Sequence, residues 1–374
     1  MTVIELQGIG PAPFCGMVLS DMGAEVIRID RAANVTDEVP DEPPVSPLDR
    51  GRRSIGVDLK SPAGVETVLR LVGQANALIE GFRPGVMERL GLSPEVCLAR
   101  NPRLVYGRMT GWGQVGPYAQ MAGHDINYIA LAGCLAHIGT SPDEPPTVPL
   151  NLIGDFGGGG MLLAIGVLGA LVEAQRSGQG QTVDAAMVDG AAMLMSAMHG
   201  VNHQGALRPR GQNQLDGASH YYGVYECADG EYISVGSIEP QFYAELLRLI
   251  GREGQEWDAQ RYKGGWPERR AEMAEIFASR TRAEWSDIME GTDVCFAPVL
   301  TIPEAYDHPH NTERDTFVEV AGVRQPAPAP RFDRTPSAVA GPPAHPGADT
   351  DDILTEAGFE PDEVARLRQD GAVR

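Results

Sequence analysis

The sequence predicts an α/β protein: a large, Rossmann-like domain on a parallel sheet, with a smaller α+β domain beside it. Three observations predict this class. Short β-rich runs alternate with helical periods through the first third of the chain, the pattern of parallel strands covered by crossover helices. Near residue 224 the pattern changes to two strands around a hairpin turn, with helices following. At 374 residues the chain exceeds what one ordinary core organises, so about two domains are expected.

Each element follows from local chemistry. Thr2 to Leu6 is β-branched and apolar and reads as a strand; Pro11 to Met22 reads as a helix with proline in its first turn; Glu25 to Ile29 is the second strand. Ala32 to Leu48 carries four prolines and several acids without periodicity and reads as a surface loop. Strands follow at Ile55 to Val57, Ala77 to Ile79, Arg103 to Arg108 and Gln181 to Met187, with a helix opened by Ser61-Pro62. The apolar run Met161 to Val172 is shorter than the roughly 20 residues that cross a bilayer and reads as a buried helix. The weakly periodic stretch from 190 to 220 suits a connection. Val224 to Glu226 and Tyr232 to Val235 flank the turn Ala228-Asp229-Gly230, and helices are expected over Pro240 to Leu249, Pro267 to Ser279 and Arg282 to Glu290. Proline and alanine accumulate through 326 to 346 as an extended strap, before a helical pattern returns over Thr350 to Gln369. The expected organisation is therefore a large domain over 1–190, a linker over 191–222, a small domain over 223–310, and a return through 311–374 that completes the large domain.

Composition narrows the function. Thirty Lys and Arg against 51 Asp and Glu leave a net charge of -21, which disfavours nucleic acid and anionic membranes as partners. Cys15, Cys97, Cys134, Cys227 and Cys295 are odd in number, scattered and never paired as C-x-x-C, against both a disulfide framework and a zinc site. With no leader pattern and no peroxisomal address at Ala372-Val-Arg374, a cytoplasmic protein is expected. Gly8-Ile-Gly10-Pro-Ala-Pro13 with Asp30 imitates a dinucleotide fingerprint, but Pro13 stands where the third glycine belongs and Arg28 and Arg31 flank the acid. There is no nucleophile elbow, P-loop or metal-ligand cluster.

Two ionisable residues in glycine-punctuated turns carry the chemical signal. His124, in Gly123-His-Asp-Ile-Asn-Tyr128, enters a helix whose first backbone N–H groups and positive dipole end face a developing anion. Asp125 reads as that helix's N-cap, as a donor through its own N–H, or as both at once, since a capping side chain leaves the N–H free. Asp155 precedes Phe156 and four glycines; it reads as an N-cap or as a second acid–base group, and the glycines as a place where a flat ligand approaches the backbone. Arg28, Arg31, Arg50, Arg52, Arg53, Lys60, Arg83 and Arg89 cluster around predicted strand ends and point to a polyanionic small molecule. Glu239 fits either an N-cap or a carboxylate that orients a histidine.

Further segments complete a family pattern: Gly10-Pro-x-Pro-Phe-Cys15, Glu25-Val-Ile-Arg-Ile-Asp-Arg31, Val57-Asp-Leu-Lys60, Arg83-Pro-Gly-Val-Met-Glu-Arg-Leu90, Arg108-Met-Thr-Gly-Trp-Gly-Gln114, Gly211-Gln-Asn213, Leu215-Asp-Gly217, Ile238-Glu-Pro-Gln-Phe-Tyr243, Thr292 to Val299 and Pro328-Ala-Pro-Arg331. Across nearly the whole chain the sequence resembles the α-methylacyl-CoA racemases within the family III CoA-transferase superfamily. The resemblance implies a cofactor-independent isomerase that interconverts (2R)- and (2S)-2-methylacyl-CoA through an enolate, with His124 and Asp155 as the acid–base pair and Asp125 and Glu239 in support. Coenzyme A enters only as part of the substrate, against Arg31, the stretch Val57, Asp58, Leu59 and Lys60, Arg83, Arg89, and the turn Gly123, His124, Asp125, Ile126, Asn127 and Tyr128. An interlocked homodimer is implied as well. Two alternatives stay open: a CoA transferase with Asp155 as nucleophile, and a non-catalytic acyl-CoA-binding subunit. The sequence departs from the racemase pattern at Ser219-His-Tyr-Tyr222, where altered acyl specificity is expected, and Met187, Met193, Met195 and Met198 are candidates for an acyl surface.

Overall fold

The computed structural model describes residues 1–38, 40–253, 257 and 263–374. The chain forms two compact units, one of 1–132, 150–195 and 315–374, the other of 133–149 and 196–314.

The first unit is built on six parallel strands: β1 (Thr2–Leu6), β2 (Glu25–Arg31), β3 (Arg52–Val57), β4 (Ala77–Glu80), β5 (Val105–Thr110) and β6 (Gln181–Ala186), in the order β3-β2-β1-β4-β5-β6. This is the doubly wound order, whose direction of winding reverses between β1 and β4. Period-2 alternation divides the strand side chains between two cores. On one face Ile4, Leu6, Ile27, Ile29 and Leu78 pack with α2 (Pro62–Val72), α3 (Val86–Arg89), α4 (Pro94–Arg100) and the late helix Thr350–Glu356; on the other Val3, Val26, Ala77 and Ile79 pack with α1 (Pro11–Asp21) and the helix Met161–Ser177.

Charge penetrates this sheet deeply. Arg52 and Glu5, both fully buried, pair at 3.0 Å; Arg28 holds Asp30 at 2.7 Å; Arg50 holds Asp21 at 2.5 Å. Arg53 pairs with Glu25 and Glu356 on the surface. Four cations of the expected anion-binding group are thus engaged internally, Arg28 by an acid two residues along its own strand and the others by carboxylates on other strands or helices. Arg50 also donates to Gln325 and to the Pro326 carbonyl, tying down the returning chain. Asp30 accepts from Arg28 and from the Ser54 hydroxyl, so the acid that imitates a ribose-binding residue is already consumed.

After β5 come α5 (Asp125–Leu131), a π-helix over Leu152–Gly160, α6 (Met161–Ser177), α7 (Met187–Leu194) and α8 (Ser196–His203). The π-helix was not legible as such, and Asp155 lies within it rather than at a cap. Gly158, Gly159 and Gly160 are buried, and the protein's own backbone approaches closely there: a Cβ on Gly190 of α7 would meet the Gly158 carbonyl oxygen at 1.8 Å, and one on Gly160 would meet the Pro11 carbonyl oxygen at 2.6 Å. At Gly158 and Gly160 the close approach expected of a flat ligand is thus made by α7 and α1, while Gly157 is half-buried. Only one face of α6 is buried, through Leu163, Ala164, Val167, Ala170 and Ala174, whereas Met161, Ile165 and Val172 are exposed, which limits the reading of a buried helix to that face. The helical run 152–177 is long and apolar enough to span a bilayer by composition, but its inner face packs on β5 and β6 as an ordinary crossover helix.

The second unit holds an antiparallel sheet β7 (Tyr222–Glu226), β8 (Tyr232–Gly236) and β9 (Phe296–Pro298), with α9 (Pro240–Leu249), α10 (Trp266–Phe277) and α11 (Arg282–Met289) over it, followed by α12 (Ile302–Asp307) and α13 (Pro309–Glu313). Its core is aromatic, with Tyr225, Tyr243, Trp266, Phe277 and Trp285 buried together. Ser219, His220 and Tyr221 are buried in this unit; His220 bonds the Tyr243 hydroxyl at 2.8 Å, and burial lowers its pKa to about 3. These three residues pack inside the second unit, and Tyr222 beside them is half-buried. Segment 133–149, expected with the large domain, belongs here because Arg210 donates to the carbonyls of Ala136, Ser141 and Glu144. Asp216 accepts from the N–H groups of Gly211 and Asn213, which gives the Gly211 and Leu215 motifs a structural role as one knotted loop.

The chain returns to the first unit as the hairpin β10 (Phe317–Val320) and β11 (Val323–Pro326), ending in α14 (Thr350–Glu356) and α15 (Pro361–Gln369).

Candidate active site

Strand ends on either side of the winding reversal leave a crevice outside the sheet, which is where open α/β sheets take ligands. A cavity of about 530 Å³ lies there, lined by Ile9 to Ala12 after β1, Gly81 to Pro84 after β4, Thr110 to Trp112 at and after the end of β5, and His124, Asn151, Asp155 and Phe156. His124 and Asp155, far apart in sequence, thus open onto one cavity.

His124 stands at the N-cap of α5 with extended backbone. Its N–H is accepted by the Asn127 side-chain oxygen at 3.0 Å, and its carbonyl accepts the Asn127 N–H at 2.8 Å. Asn127 therefore fixes the turn through its side-chain oxygen. The imidazole is exposed. Tyr128 is buried, edge-on to Trp112 at 4.7 Å, and wedged so tightly that a Cβ on Gly111 or Gly123 would fall 2.1 Å or 2.7 Å from its ring. This aromatic pair forms the floor under the 123–124 turn.

Asp155 is half-buried. Burial raises its pKa; donation from Asn151 at 3.1 Å lowers it, the Asp125 charge raises it and His124 lowers it, with a net upward shift. Gly10 carries a positive φ of 69° at the N-cap of α1, where a Cβ would lie 3.3 Å from Asp155 Oδ2. Asn151 was not singled out by sequence, because its only signal is the four-residue spacing to Asp155, which acquires meaning in the wide turn of the π-helix. Asp125 is the first residue of α5 and is buried; its carboxylate does not cap that helix but accepts the Asp155 N–H at 2.7 Å.

Arg83 lines the cavity. Arg31, Lys60, Arg83 and Arg89 are exposed and, among the described residues, form no ion pair with a carboxylate, unlike the buried arginines. Arg31 closes β2, and Asp58, Leu59 and Lys60 follow β3, while the Val57 side chain is buried in the core. Ile126 is exposed on α5. Below the crevice, Glu80 accepts the Phe82 N–H at 2.7 Å and Arg108 Nε at 3.0 Å; burial outweighs both and raises its pKa to about 7. Of the candidate methionines, Met187 is buried at the cavity wall and Met193 is exposed. Glu239 belongs to the second unit, exposed immediately before α9.

Fold and site together describe an α/β protein with a histidine and a carboxyl in the switch-point crevice of a doubly wound sheet. The chain belongs to CoA-transferase family III, whose profile matches residues 1–350. It is 46% identical over 376 residues to the alpha-methylacyl-CoA racemase of Mus musculus, with 99% of this chain and 96% of that protein covered. Identity to the Homo sapiens alpha-methylacyl-CoA racemase is 45%, with the same shares covered. Among solved structures, Rv3272 from M. tuberculosis superposes with a TM-score of 0.77 at 30% identity, covering 95% of this chain and 98% of that one.

Proposed function

We propose that this protein interconverts the 2R and 2S epimers of 2-methylacyl-CoA thioesters by moving the α-proton. The observation that carries the reading is the shared cavity of His124 and Asp155, in a chain similar along its whole length to alpha-methylacyl-CoA racemases. The imidazole of His124 takes the α-proton of the 2S epimer, and the C–H electron pair enters the thioester to form a planar enolate. Protonated Asp155 then delivers a proton to the opposite face, leaving the 2R epimer, an imidazolium and a carboxylate; the reverse reaction exchanges the roles. The Asp125 N–H, in the unbonded first turn of α5, donates to the enolate oxygen, an arrangement worth about 3 kcal/mol per donor.

Neither oxidation nor a metal is required by this chemistry. Arg31, Lys60, Arg83 and Arg89 bind the phosphates of coenzyme A, with the backbone of 57–60 along the adenine, and each charge-assisted contact contributes roughly 1.5 to 3 kcal/mol. The working form is a homodimer in which Glu239 of one copy orients His124 of the other. Support for a second copy comes from the exposed apolar row Met161, Ile165 and Val172 on α6.

The test is incubation with one epimer of 2-methylacyl-CoA and no acceptor acid. The other epimer is expected. A reaction that begins only when a carboxylic acid is supplied would identify a CoA transferase, and an unchanged sample would identify a binding subunit.

A further inference from the structure

We propose that Asp125 is a positioning residue for this reaction, its buried carboxylate holding the Asp155 peptide in place and setting a negative charge beside the Asp155 carboxyl. The inference rests on the racemisation reading given above. It concerns the side chain of Asp125, separately from its N–H.

The tether joins two elements that carry the two bases. Asp125 follows His124 at the start of α5, and its Oδ2 accepts the N–H of Asp155 inside the π-helix at 2.7 Å. Residue 154 is built around the contact: a Cβ there would lie 2.7 Å from Asp125 Oδ2 and 2.9 Å from its Cγ, so only glycine lets the carboxylate approach. One hydrogen bond therefore spans the cleft wall from the residue beside one base to the backbone of the other.

The tether alone does not explain an aspartate. An asparagine oxygen accepts the same N–H in the same geometry, and its amide is cheaper to bury than a carboxylate. Asp125 is only 5% exposed, and its Oδ1 is buried without a hydrogen-bond partner among the described residues, so an acid stands here against a desolvation cost. What the charge adds is repulsion toward an ionised Asp155, which favours the protonated carboxyl that donates to the enolate. The charged groups acting on Asp155 are Asp125 and His124, with opposite sign, and both come from the start of α5. Tyr128 of α5 is the other titratable group coupled to it, and Asn151 within the π-helix is its neutral donor. Among the described residues, α1, α6 and α7 present no charged side chain that acts on Asp155.

Two variants of the full-length protein separate these functions. Asp125→Asn keeps an acceptor and removes the charge; Asp125→Ala removes both. Amide hydrogen exchange of the segment 152–160, followed by mass spectrometry, reads the tether without reference to catalysis. Exchange in that segment is expected to rise about tenfold or more in Asp125→Ala and to match the parent in Asp125→Asn. In the racemase assay Asp125→Ala is expected to lose about tenfold in kcat with KM nearly unchanged, as for a group that acts on the transition state alone. Asp125→Asn is expected to move the Asp155 limb of the pH profile toward acid, because the neighbouring negative charge that raises the Asp155 pKa is gone. Parent-like exchange in Asp125→Ala would overturn the tether, and a pH profile of Asp125→Asn superimposable on the parent would overturn the electrostatic half. If the parent itself moves no α-proton, the reaction reading fails while the exchange measurement still decides the tether.

Discussion

Asp155 keeps its proton to higher pH than an ordinary aspartate, chiefly because burial outweighs the donation from Asn151. The two working states, neutral His124 with protonated Asp155 and imidazolium with carboxylate, hold the same number of protons, so their ratio does not change with pH. Profiles of kcat/KM for the two epimers are therefore expected to be superimposable bells, losing rate at low pH, where both groups are protonated, and at high pH, where both have lost their protons. Profiles displaced from each other would contradict a shared acid–base pair. His124→Ala and Asp155→Ala are each expected to lower epimerisation by about a hundred- to ten-thousandfold. Both residues were legible in the sequence, because a titratable side chain in a glycine-marked turn is a local signal. The Asp125 side chain and Asn151 were not, since one acts across separate elements and the other through a turn geometry that composition does not specify.

At the scale of elements, close backbone approach decides the site. The π-helix that carries Asp155 packs directly on α7, and Gly190 has no room for a methyl group beside the Gly158 carbonyl. Gly190→Ala is therefore expected to destabilise the protein by more than about 3 kcal/mol, because the clash is with backbone and no rotamer relieves it. Gly169→Ala in the same unit is the control: nothing lies within 4 Å of its added Cβ, and in mid-helix it is expected to stabilise by about 0.5 to 1 kcal/mol. Urea unfolding of the two variants checks the contrast. The alternation of strands and helices was readable from periodicity, and β1 and α9 have the expected bounds. The exposed face of α6 and the four internally paired arginines were not. A run of apolar residues does not say which face is covered, and an arginine near a strand end does not say which carboxylate the register brings beside it.

For the whole molecule, the change of pattern near residue 224 marks the antiparallel sheet of the second unit, whereas the allegiance of 133–149 depends on Arg210, a single side chain with no periodic signature. The acidic total charge coexists with exposed cations at the strand ends that form no ion pair among the described residues, so net charge alone does not say where an anion would bind. The central claim is that two bases, His124 and Asp155, face opposite sides of one α-carbon. It is tested most directly by solvent deuterium exchange at the α-position of each pure epimer, using His124→Ala and Asp155→Ala. Each variant loses epimerisation but keeps the base for one face. Asp155→Ala is therefore predicted to exchange the 2S epimer with retention and His124→Ala the 2R epimer, each leaving the other epimer inert. Exchange of both epimers surviving in one variant and absent from the other would assign the chemistry to a single base and contradict the account.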